Sequence, residues 1–158
     1  MDSNNFTVDG YYYLNNNDSS KISQFIFYPF PLEPYLGNVD SISVFDETIK
    51  KRIYFSKAKD NSGIIFPLQM EGYGFRKIKI IYSQQLKKNI AEYILKTTQT
   101  WGKPLESANY SLSVPDKIKI DSLSYAADSV KKINNKNIYY WSKKNFYPKI
   151  DFVFYFSH

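Results

Sequence analysis

The chain contains no cysteine and a single histidine, His158, at its last position. Without cysteine it forms no disulfide, has no thiolate nucleophile and builds no zinc site on sulfur. His158 reads as a frayed terminal residue, which argues against a Ser-His-Asp triad and a histidine acid or base, and without a second histidine a multi-histidine metal centre is excluded. Arginine is almost missing too: only Arg52 and Arg76 stand among 21 basic residues. Nucleic-acid readers rely on arginine forks, so the lysine excess argues against nucleic acid as a partner. Alanine, the best helix former, is confined to Ala58, Ala91, Ala108, Ala126 and Ala127. No run approaches the roughly 18 apolar residues of a membrane-spanning helix. The polar start, Met1-Asp2-Ser3-Asn4-Asn5, holds no signal peptide. It suits a chain begun just after a removed signal or lipid anchor, with Met1 added for expression.

What is abundant points to sheets. Aromatic residues make up 18% of the 158 residues, with 15 Tyr and 12 Phe, and these favour pleated, half-buried surfaces. Charge is uneven. Residues 1–49 carry Lys21 against seven acids, a net −6, while residues 50–158 carry 20 basic residues against eight acids, a net +12. A chain of this length fits one domain, expected to run from 1 to 158.

Period-two alternation recurs from end to end. Phe6, Val8, Tyr12 and Leu14 share one face of the first run, with Thr7, Asp9, Tyr11 and Tyr13 opposite. After the turn Asn15–Ser20, the run from Ile22 to Phe30 returns, and the two read as an antiparallel hairpin. Pro29, Pro31 and Pro34 then mark an edge or an exit. Further strands are expected at Asp40 to Phe45, Ile53 to Phe55, Ile64 to Met70, Phe75 to Tyr82, Tyr110 to Val114, Lys117 to Tyr125, Ile138 to Trp141 and Ile150 to Phe156. The last is apolar on both faces, as a central strand would be. Residues 84–100 fit either a strand or a helix; strand is the favoured reading, with one short helix near 85–98 as the alternative. The expected architecture is an all-β, two-sheet antiparallel sandwich, immunoglobulin- or jelly-roll-like.

Candidate chemistry is sparse. Asp116, Asp121, Asp128 and Asp151 could serve a small hydrolase with an Asp pair, but no spacing pairs them. Asn15, Asn17 and Ser19 resemble half a calcium loop without its acidic anchor, and Gly72-Tyr73-Gly74 lacks the rest of a phosphate loop. No catalytic residue, metal ligand or cofactor is assigned. The consecutive rings Tyr11-Tyr12-Tyr13 and Tyr139-Tyr140-Trp141 must send some side chains outward, where Tyr and Trp anchor interfaces or stack on sugars. Lys77 and Lys79 alternate along one strand and Lys117 and Lys119 along another, the pattern of a solvated face or a guarded edge. The candidate binding residues are Tyr11, Tyr13, Tyr139, Trp141, Lys143 and Lys144.

Two patches carry a resemblance. One ends in Tyr28-Pro29-Phe30-Pro31. The other runs from Ile81-Tyr82-Ser83-Gln84 through Tyr93-Ile94-Leu95-Lys96-Thr97-Thr98, Trp101 and Pro104-Leu105 to Val114-Pro115. Over about half of its length the chain resembles uncharacterised bacterial envelope proteins with secreted β-sandwich domains; the lysine-rich Lys87-Lys88 loop and the stretch after Tyr125 depart from them. The resemblance implies a sandwich, export and no known activity. It favours a strand at 91–98, with Trp101 as a plug of the core. The resulting expectation is a non-catalytic, extracytoplasmic module that binds a protein or glycan of the cell envelope, an anionic surface being a further option. A small hydrolase and a nucleic-acid-binding β-barrel are the alternatives.

Overall fold

The computed structural model describes residues 1, 4–32 and 36–158. Pro34, expected to break a ladder, lies outside them. The fold is all-β and sandwich-like, with antiparallel sheets. The chain divides into two compact units. The first comprises Thr7–Leu32 and Asn38–Gln84, and the second comprises Met1–Phe6, Glu33–Gly37 and Gln85–His158.

Two sheets build the first unit. One has the order β1-β7-β3-β4, formed by β1 (Asn5–Asn15), β7 (Phe75–Leu86), β3 (Leu36–Asp46) and β4 (Lys51–Arg52). The terminal residues of β1, β3 and β7 are assigned to the second unit. The other has the order β2-β6-β5, formed by β2 (Ile22–Pro29), β6 (Gly63–Met70) and β5 (Ser56–Lys57). Alternation places one side of each strand between the sheets. There Val44, Ile64, Phe66, Leu68, Ile78, Ile80 and Tyr82 are buried together, each worth about 1.5–3 kcal/mol as removed apolar surface.

The expected β1–β2 hairpin does not form: β1 pairs with β7, and β2 with β6. The Asn15–Ser20 segment is instead a corner that carries the chain from one sheet to the other. Asn16 fixes it. Its buried side-chain amide donates to Ser20 O and Glu71 O at 2.7 and 3.0 Å, and its backbone N–H donates to Gly74 O at 2.8 Å. Tyr12 and Tyr28 then meet across the core through their hydroxyls at 2.7 Å. Ile53 to Phe55 is a connection between β4 and β5 and not the strand expected. Asp46, as expected, opens a turn, its Oδ1 accepting from the N–H groups of Thr48 and Ile49.

The second unit also holds two sheets. One has the order β10-β13-β8, from β10 (Lys119–Leu123), β13 (Phe152–Ser157) and β8 (Ile90–Tyr93). The other has the order β11-β12-β9, from β11 (Ser129–Ile133), β12 (Lys136–Phe146) and β9 (Leu105–Pro115). The two-sided apolar run 150–156 is the central strand β13, as the sequence predicts. Asn134 and Asn135, at φ 48° and 59°, close a tight β11–β12 hairpin of the kind that needs two left-handed residues.

Residues 84–100 split between the two readings. Strand continues through Leu86 and resumes in β8, and then Lys96–Trp101 forms a 3-10 helix. Asp151 sets that change: its Oδ1 accepts from the N–H groups of Leu95 and Lys96 at 2.8 and 2.9 Å, diverting the backbone from a ladder. Trp101 is 52% exposed, so it is not the core plug that the resemblance implied. The buried tryptophan of this unit is Trp141.

Candidate functional site

The outer face of β1 and β7 brings the exposed rings Tyr11, Tyr13 and Phe75 together with the half-buried Lys77 and Lys79. The two strands run antiparallel, since Asn16 N–H bonds to Gly74 O at one end and Leu86 N–H to Asn4 O at the other. Both bonds share one register, and the hydroxyls of Thr7 and Ser83, 3.2 Å apart, fit it. It brings the odd-numbered residues of β1 beside Phe75, Lys77 and Lys79 of β7. Val8, Tyr12 and Leu14 pack on the core, which leaves Tyr11 and Tyr13 outward at 46% and 62% exposure.

Each ring has a partner. Lys77 Nζ lies 4.4 Å from the Tyr11 centroid and 5.5 Å from the Tyr13 centroid, and Lys79 Nζ lies 5.0 Å from that of Tyr11. Such contacts contribute about 0.5–1 kcal/mol at exposed sites. Phe75 stacks on Tyr13, with centroids 6.2 Å apart and planes 27° apart. The two lysines differ. Lys79 donates to Tyr11 and to Asp9, whose Oδ2 is 3.3 Å away, and these bonds raise its pKa above the ordinary lysine value. Lys77 makes no ion pair among the described residues, but the pKa of the neighbouring Glu47 is lowered by its hydrogen bond from Lys50 and, to a smaller extent, by the charge of Lys77. The face therefore offers adjoining aromatic surfaces with a half-buried ammonium beside them.

The other candidates fall in the second unit, on β12. Trp141 is 2% exposed, which corrects the expectation that its ring faces outward. Its indole N–H donates to Tyr125 O at 3.0 Å, and its ring meets Phe152 edge-on at 4.8 Å. Tyr139 is half-buried and stacks on Trp141 at 6.4 Å. Lys143 is tied to Asp128 Oδ1 at 2.7 Å, while Ser142 N–H takes the other carboxylate oxygen at 2.7 Å. Lys144 is exposed. Tyr11 and Tyr13 thus belong to one compact unit and the other four candidates to another.

The four aspartates weighed for hydrolysis each hold local structure. Asp116 pairs with Lys132, Asp121 accepts from Ser157, Asp128 binds Lys143 and Ser142, and Asp151 caps the 3-10 helix. A recess of about 160 Å³ opens in the first unit between Phe30, Val39, Ile42 and Lys57, small beside the roughly 300–1,000 Å³ of a typical ligand pocket. Sequence reasoning noted Lys77 and Lys79 as a solvated face but missed their link to Tyr11 and Tyr13. That link depends on a β1–β7 pairing between segments distant in the chain.

An all-β, sandwich-like fold with an exposed aromatic–lysine face is thus the class that the molecule defines. No protein-family model and no curated protein matches the chain. In fold it is similar to the crystal structure of a proposed nutrient binding protein from Legionella pneumophila, with a TM-score of 0.70 at 13% identity over 96% of this chain. The chain spans 60% of the length of that protein. Among the described residues, no helix is long and apolar enough to cross a membrane.

Proposed function

We propose that this chain is a non-catalytic, extracytoplasmic binding module, folded as a single domain, that takes a protein or glycan partner of the bacterial cell envelope on its β1–β7 face. The observation that carries the reading is Lys77 Nζ standing over the Tyr11 and Tyr13 rings on the outer face of the sheet. Flat aromatic area comes with little conformational entropy to lose, and an ammonium beside it supplies direction and charge preference. The fold shared with a proposed nutrient binding protein supports a binding role.

The test is capture of envelope-extract components and arrayed glycans by the wild-type chain and by Tyr11→Ala/Tyr13→Ala. Loss of capture by a double variant that keeps its circular dichroism and melting temperature supports the face. Equal capture by both chains moves the site elsewhere.

A further inference from the structure

Among the described residues, eight strands edge the four sheets, and seven of them carry a charged side chain. Asp9 lies on β1, Arg52 on β4, Lys57 on β5, Glu92 on β8, Glu106 on β9, Lys119 on β10 and Lys131 on β11. Charge on an edge strand is the common guard against pairing with another chain. The exception is β2. Neither Ile22–Pro29 nor its neighbour Gly63–Met70 contains a charged residue.

The unguarded edge is also open. Beyond the end of the β2–β6 ladder, Phe30 N–H bonds to Ser62 O in the same register. Bonded positions alternate in an antiparallel pair, so the even-numbered residues of β2 turn their N–H and C=O groups towards β6. Those of Ser23, Phe25 and Phe27 point away, to the free side. The side chains of Phe25 and Phe27 stand on the outer face at 76% and 50% exposure, opposite Pro67 and Ile65. An apolar patch therefore adjoins a row of unpaired backbone donors and acceptors, a combination that marks an interaction surface.

We propose that this edge is a homodimer interface, in which β2 pairs antiparallel with β2 of a second copy about a two-fold axis at Ile26. Charge selects the occupant. A two-fold axis sets an edge strand against its own copy, so any charge on it meets its like. In a chain of net charge +6, a neutral strand is the place where two copies approach without that cost. An axis at Ile26 places Phe25 of one copy opposite Phe27 of the other, in a bonded pair with both rings outward. The four rings then form a two-by-two patch over the central pair of strands in a continuous six-stranded sheet. Pro29, which has no N–H, leaves the C=O of Ser23 in the second copy without a donor, but its own C=O still accepts from that Ser23, so each end of the ladder keeps one bond of two. The surface is separate from the β1–β7 face and does not depend on the binding role proposed above.

Sedimentation equilibrium over a dilution series tests the inference. The wild-type chain should show twice the 18.6 kDa chain mass at high concentration and dissociate on dilution. Phe25→Lys, which changes an exposed side chain, should remain at 18.6 kDa throughout with unchanged circular dichroism and melting temperature. Phe25→Ser, without the charge, should weaken the dimer without abolishing it. A wild-type monomer at every concentration overturns the proposal, as does a folded Phe25→Lys that stays dimeric. Flotation of monomeric wild type, but not Phe25→Lys, with phosphatidylglycerol vesicles would assign the patch to a membrane surface and overturn it too.

Discussion

The ammonium of Lys77 lies 4.4 Å from the centre of the Tyr11 ring, held there because β1 and β7, far apart in the chain, are neighbours in one sheet. The contact joins the sequence's most tyrosine-rich run to one of its alternating lysine pairs. Since both side chains remain reachable by solvent, removing either should cost little stability. Lys77→Ala should lower the unfolding free energy by about 1 kcal/mol or less while reducing capture of envelope components as Tyr11→Ala/Tyr13→Ala does. Chemical denaturation beside the capture assay separates the two effects. A large loss of stability with retained capture would make the contact structural.

Trp141 is the opposite case. Its ring is buried against Phe152, and its indole N–H satisfies Tyr125 O. Trp141→Ala should cost about 3–5 kcal/mol through the cavity and lost transfer energy. Trp141→Phe keeps most of the packing but strands the Tyr125 carbonyl, at about 1–3 kcal/mol. The chain has two tryptophans, and Trp101 is exposed. Acrylamide should therefore quench nearly all the fluorescence of Trp141→Phe but only part of the wild-type signal.

These two sites show what alternation in a sequence can and cannot reveal. Parity along β1 was readable: Tyr11 and Tyr13 were expected on the face opposite Val8, Tyr12 and Leu14, and that is their arrangement. Parity along β12 was readable as well, since Tyr139 and Trp141 do share a face. Which face turns inward was not readable, because Lys143 has the same parity as Trp141 and a lysine ordinarily keeps to solvent. Its ion pair with Asp128 lets a lysine sit on that side. Most strands were legible, down to the central position of β13, although Ile53 to Phe55 is a connection and Ser129–Ile133 was not expected; strand partnership was not legible. The Asn15–Ser20 corner has the composition of a hairpin turn, and only the bonds from Asn16 to Glu71 and Gly74 redirect it.

Glu92 offers a test by pH. Desolvation first, and the nearby Asp151 second, raise its pKa above the ordinary 4.5, against a smaller opposing effect of Lys96. The folded state therefore binds the proton more tightly than the unfolded state does. The stability this contributes is fully present below pH 4.5 and is lost as pH rises through the folded-state value. Glu92→Gln, which cannot ionise, should melt above wild type at neutral pH, and the difference should shrink to nothing in acid. Melting temperatures of both chains across that range decide it; a constant difference would assign the effect to packing.

Two glycines should respond to alanine for different reasons. A Cβ on Gly72 would stand 1.9 Å from Ser19 O, a collision with backbone at the corner that Asn16 anchors. Gly72→Ala should cost about 1–3 kcal/mol or more. Gly102 has open space around it but φ of +68°, where a side chain is disfavoured, so Gly102→Ala should cost about 1 kcal/mol. Urea denaturation of the pair orders them, and a larger loss at Gly102 would contradict the account of both.

The proposal of a single domain makes a calorimetric prediction. Strands β1, β3 and β7 each have residues assigned to both compact units, so a ladder lost in one frays a strand that continues into the other. Unfolding should then be one transition, with equal calorimetric and van't Hoff enthalpies. The informative variants weaken one unit at a time: Trp141→Phe in the second and Gly72→Ala in the first. Under the single-domain reading, each lowers the temperature of the whole transition without splitting it, because the intact unit cannot keep its strands while their continuations melt. Two resolved transitions, one shifted by Trp141→Phe and the other by Gly72→Ala, would make each unit a folding domain in its own right.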